Sequence, residues 1–86
     1  MVTRDDALRI AERFLDEHVR SSVPDAVVVD DEVALEQLGW VFPYQSQEYL
    51  DGTGSPLAGN LPIVVDQADA TVRYMTLEEV RKPRYR

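Results

Sequence analysis

The sequence predicts a two-layer α+β domain: an N-terminal helix packed on an antiparallel sheet of three to four strands, with a short C-terminal helix. Three observations carry that reading. Apolar residues recur at three- and four-residue spacing from Ala7 to Val19, which marks one buried helix face. Alternating and β-branched runs follow at 26–29, 40–44, 60–66 and 71–75, separated by turn-forming residues. The 86 residues show no repeat and no internal boundary, so 1–86 is read as one domain with a small core.

The first element is a helix from Thr3 to about Val19, with Ala7, Leu8, Ala11, Phe14, Leu15 and Val19 as its stripe. Thr3 is an N-cap residue, and Asp5 and Asp6 sit where the helix dipole favours negative charge. Arg9 and Arg13 are expected to pair with Asp5, Glu12 or Asp16 on the wet face. Pro24 restricts Val23 and ends the segment. Ala26 to Val29 reads as a strand. Residues 30–39 admit two readings: a helix capped by Asp30 or Asp31 and ended by Gly39, or a turn at 30–32 followed by a strand. The strand is preferred, because the strand that follows needs a sheet partner.

Trp40, Phe42 and Tyr44 alternate with Val41 and Pro43, giving a strand with one aromatic face. Pro43 cannot donate to a ladder, so it marks an edge, a bulge or a strand end. Gln45 to Leu50 is expected to form a helical turn and Asp51 to Pro56 a loop. Asn60 to Asp66 is a strand with Ile63 and Val65 on one face; 67–70 turn the chain, and Thr71 to Met75 returns antiparallel. Thr76 and Glu79 form a capping box for a last short helix that Pro83 stops, leaving a frayed tail at about 82–86. Phe14, Leu15, Trp40, Phe42, Ile63 and Val65 are the expected core.

Composition narrows the function classes. The chain has no Cys, so disulfides, zinc-thiolate sites and Cys nucleophiles are excluded, and a reducing cytoplasm fits. No apolar run is long enough for a signal peptide or a membrane span. The net charge of −7 is unevenly placed: Arg81, Lys82, Arg84 and Arg86 make the end basic, and the first 79 residues hold five basic and sixteen acidic side chains, a net of −11. Such a body repels nucleic-acid phosphates and attracts a basic protein.

No stretch of the chain spells out a catalytic or ligand site. Gly52, Gly54 and Gly59 lack the Lys and the following helix that a phosphate cradle needs. His18 is the only histidine, without a relay partner at any telling spacing. Asp30, Asp31 and Glu32 lack the spacing and the Gly of a calcium loop. No cofactor and no metal is expected. The Trp40, Phe42 and Tyr44 rings are read as core, with Tyr44 and Tyr49 the better candidates for exposure because each has a polar tip.

Gly39-Trp40-Val41-Phe42, Ser46 and Tyr49-Leu50, followed by Leu57-Ala58-Gly59-Asn60, Pro62 and Ile63-Val64-Val65-Asp66, resemble the YrhB-type domain family, also called immunity protein 35. The resemblance extends over residues 3–80. It implies a small bacterial α+β domain assigned to immunity against toxins, with one branch described as chaperone-like, and it implies no catalytic residues. Its motif positions Gly39, Trp40, Phe42, Tyr49, Gly59, Asn60, Pro62 and Asp66 have structural readings: Trp40 as a core anchor, Gly59 and Asn60 shaping a loop, Asp66 capping a turn. The family often has Gly in that turn. Here it is Gln67-Ala68-Asp69-Ala70, with Asp69 the residue able to host a positive φ.

The function expected is a non-catalytic, cytoplasmic interaction module that binds and neutralises a protein toxin with a basic surface. Asp30, Asp31, Glu32 and Glu36, the densest acid cluster, would contact it together with Tyr44 and Tyr49. The alternatives are a chaperone-like client binder, which needs an exposed apolar patch, and a small ligand-binding protein or enzyme, which needs a polar pocket.

Overall fold

A computed structural model describes residues 1–57 and 60–81. Thr3 opens the first helix, α1 (Arg4–His18), by accepting a hydrogen bond from the Asp6 amide at 3.1 Å. Ala7, Ala11 and Leu15 on its inner stripe are fully buried. Its charges pair differently from the expectation. Arg9 pairs with Asp6, while Arg20, just past the helix end, reaches back to Glu12 and Asp16 at 2.8 Å each. Arg20 wins those carboxylates because the chain folds back there; its Nε also donates to the Ala26 carbonyl at 2.9 Å, which fastens the next strand to the helix.

That strand is β1 (Ala26–Val28). A 3-10 turn at Asp30–Glu32 leads to β2 (Ala34–Glu36), and a two-residue turn joins it to β3 (Gly39–Phe42). The turn-then-strand reading of 30–39 holds. Pro43 ends β3; its carbonyl accepts the Val29 amide at 2.9 Å. The chain thereby leaves one sheet and joins another: β4 (Tyr44–Ser46) pairs with β1, Val28 opposite Tyr44. The helical turn expected over 45–50 is accordingly shorter, α2 (Gln47–Leu50), with the Ser46 hydroxyl accepting the Tyr49 amide at 3.2 Å.

The larger sheet has four antiparallel strands in the order β2-β3-β5-β6, where β5 is Ile63–Val65 and β6 is Val72–Tyr74. Trp40 pairs with Val65 and Phe42 with Ile63. Phe42, Ile63 and Val65 face α1 and form the main core, together with Tyr44. The opposite face is covered too: Val41, Val64 and Met75 pack with Leu38 and with Val80 of the last helix, α3 (Leu77–Arg81). A central strand buried on both sides reads as a continuous apolar run, as Ile63-Val64-Val65 does.

Of the expected core, Leu15, Phe42, Ile63 and Val65 are fully buried. Phe14 and Trp40 pack at its rim and are only partly buried. Trp40 lies there because its indole N–H donates to the Val2 carbonyl at 3.0 Å near the start of the chain. The turn after β5 is capped by Asp66, whose carboxylate accepts the Ala68 and Asp69 amides. Its positive φ falls on Ala70, at 65°, and not on Asp69. The Asp69 carboxylate instead accepts the Thr71 amide at 2.9 Å, an Asx-type contact to the residue two positions on. In α3 the capping box is reciprocal: the Glu79 amide donates to the Thr76 hydroxyl at 3.1 Å and the Thr76 amide to the Glu79 carboxylate at 2.8 Å. Gly59, the helix stop at Pro83 and the tail at 82–86 lie outside the described residues.

Candidate functional site

The acid cluster is built on the 3-10 turn. The Val29 amide is tied to Pro43, and the Glu32 amide donates to the Val29 carbonyl at 2.9 Å, so Asp30, Asp31 and Glu32 project from a fixed base. All three are exposed. Asp30 shares its charge with Arg4 of α1 at 2.9 Å. Glu36 sits on the neighbouring strand β2 opposite Gly39 and is half-buried, so it does not extend the exposed cluster.

Next to the turn lies a hollow of about 400 Å³. Glu32 stands on one wall, Tyr49 and Leu50 of α2 on another, and Pro62, just before β5, and Val80 of α3 complete the lining. The helix α2 is held by Asp25, whose carbonyl accepts the Gln47 amide at 2.9 Å and whose carboxylate accepts the Glu48 amide at 3.2 Å. Two amide side chains hold the floor. Asn60 donates to the Tyr44 carbonyl and Gln45 accepts the Leu57 amide, both at 2.9 Å. Tyr49 and Leu50 are 40% and 43% exposed on this scaffold.

The expectation that Tyr44 points outward is corrected. It is 4% exposed and packs in the main core, because β4 continues the inward face after Pro43. Burial, and then the nearby Tyr74, push its phenol up to about 12, so it stays protonated at neutral pH. Sequence reasoning found Glu32 and Tyr49 but missed Leu50, Pro62 and Val80 as neighbours of one hollow. Leu50 was signalled only by standing beside Tyr49, and nothing in the chain links Val80 to Glu32.

A second hollow of about 220 Å³ is lined by His18, Tyr44, Asn60 and Tyr74, among others; Trp40 does not line it. The His18 ring lies tilted against Phe14, centroids 4.4 Å apart, and Phe14 meets Tyr74 edge-on at 4.9 Å. The Gly52–Gly54 loop does not converge on an anion. The Gly52 and Thr53 amides donate back to the Tyr49 and Glu48 carbonyls, closing α2. Among the described residues no group of three or more His, Asp or Glu is placed to hold a metal ion. No described helix is long and apolar enough to cross a membrane. The most shifted carboxylate, Glu79, is held down to about 2 by Arg73 and then by the Thr76 amide, which is a cap and not a catalytic setting.

Residues 5–81 match the family model described as immunity protein 35. No curated protein and no solved structure matches the chain.

Proposed function

The chain belongs to the immunity protein 35 family, and from that premise we propose that it is a non-catalytic bacterial protein that binds and neutralises a protein toxin in the cytoplasm. The family match is the observation that carries this reading. Charge supports it physically. The first 79 residues carry a net of −11, a field that speeds the encounter with a basic protein and repels nucleic acid. Asp31 and Glu32 project from a rigid turn, so that field has a fixed focus beside exposed apolar residues. A complex formed there would be steered by charge and held by the side chains it buries.

Co-expression tests it. The chain is expected to restore growth to cells producing the toxin encoded beside its own gene, and to co-purify with that toxin at equal stoichiometry. Absence of protection against every adjacent toxin overturns the proposal.

A further inference from the structure

The hollow between the acid turn and α2 is shaped for a particular kind of contact. We infer that it receives an apolar side chain flanked by Lys or Arg on the surface of the protein partner; this rests on the toxin-binding reading above. Tyr49 and Leu50 are adjacent, large and at least 40% exposed. Their exposure is imposed, since the Ser46 hydroxyl and both acceptor groups of Asp25 pin α2 in place. A volume of about 400 Å³ lies within the range of small-ligand sites, ample for a bulky side chain.

Charge selects the flanking residues. Among the described residues neither Asp31 nor Glu32 has an ion-pair partner, whereas Asp30 is committed to Arg4. Glu32 lines the hollow itself. A cation beside the inserted apolar group meets that carboxylate at the rim, and an anion there is repelled. The occupant is therefore a basic protein surface and not a nucleic acid or an acidic peptide.

The probe is a capped peptide, Arg-Trp-Arg, titrated into the ¹⁵N-labelled chain at low salt, with capped Glu-Trp-Glu as the control. Saturable shifts are expected at the amides of Glu32, Gln45, Tyr49 and Leu50 with the basic peptide only. Glu32→Gln is expected to weaken binding roughly two- to fivefold, and Leu50→Ala about fivefold or more. Both positions are exposed, so the variants keep the fold, and Tyr49→Ala gives a third readout. Shifts mapping elsewhere, an equal response to Glu-Trp-Glu, or indifference to all three substitutions overturns the inference. Co-expression separates the two readings: protection that survives Glu32→Lys with Leu50→Asp tells against this hollow alone, whereas no protection by the unaltered chain tells against toxin binding.

Discussion

Gly39 meets Val65 so closely that a Cβ on it would stand 2.3 Å from the Val65 carbonyl oxygen. Its φ of +128° is also outside what side-chain-bearing residues adopt. The Gly-Trp pair therefore starts β3 for two reasons at once: a tight turn from β2 and backbone contact with β5. Gly39→Ala should destabilise the fold by roughly 2–4 kcal/mol, combining backbone strain with overpacking. Urea denaturation checks it, and an unchanged midpoint contradicts it.

Trp40 ties the chain's start to the sheet through its indole N–H and the Val2 carbonyl, while the Val2 amide donates to Gln67 at 2.9 Å. Trp40→Phe keeps a ring in place and removes the donor. The expected loss is about 1 kcal/mol, with faster hydrogen exchange at the Val2 amide. Exchange as slow as in the parent protein would show that the bond does not hold this segment.

Ala70 carries the turn's positive φ, 65°, although it has a Cβ. A left-handed conformation costs such a residue roughly 1–2 kcal/mol, of which the added freedom of Gly in the unfolded chain returns about 0.4–1 kcal/mol. Ala70→Gly should therefore stabilise, by up to about 1.5 kcal/mol, and Ala70→Val should destabilise. Thermal midpoints of the two variants on opposite sides of the parent's are the expected outcome; the same sign for both refutes it.

Glu79 has its carboxyl lowered from 4.5 to about 2, first by Arg73 and next by the Thr76 amide. A carboxylate depressed in the fold contributes its stability above the unfolded pKa and loses it as pH falls through the folded one. The contribution is thus complete above about pH 4.5 and gone near pH 2. Asp69, lowered by its hydrogen bonds to Thr71, acts in the same direction. The expected result is a fall in thermal midpoint as pH drops through that window, shallower in Glu79→Gln. Parallel curves for the two proteins would remove Glu79 from the account.

Asp31→Asn with Glu32→Gln should slow association with the toxin severalfold and leave dissociation nearly unchanged, because rim charges act on encounter. The difference from the parent should close at high salt. Stopped-flow or surface-binding kinetics at two ionic strengths check this, and a change confined to dissociation contradicts it. Asp30→Asn belongs to a different class: its pair with Arg4 is exposed, so a stability change under about 1 kcal/mol is expected.

Much of the fold was legible because its causes are local. The Thr3 cap, the α1 stripe, the Thr76 and Glu79 box and the Asp66 turn each depend on residues within a few positions of one another, and all appear as read. Pro43 was legible as a strand disruptor, but not as the point where the chain changes sheets. That depends on the Val29 amide meeting its carbonyl, a contact between strands. Asp69 has the better intrinsic tolerance of a positive φ, yet that φ lies at Ala70, because the Asp69 carboxylate is engaged by the Thr71 amide.

The sequence by itself determined the order and type of most elements, the family and the sign of the electrostatic field, since periodicity, capping, motif and charge are properties of the chain read in order. The tertiary structure decided which aromatic residues face inward, how both sheet faces are covered and that Glu32, Leu50 and Val80 line one hollow. Tyr44 and Tyr49 look alike in the chain; one is 4% and the other 40% exposed, because β4 turns the first into the core and α2 lifts the second off it. Burial depends on what packs against a residue from distant parts of the chain, and no short-range pattern records that.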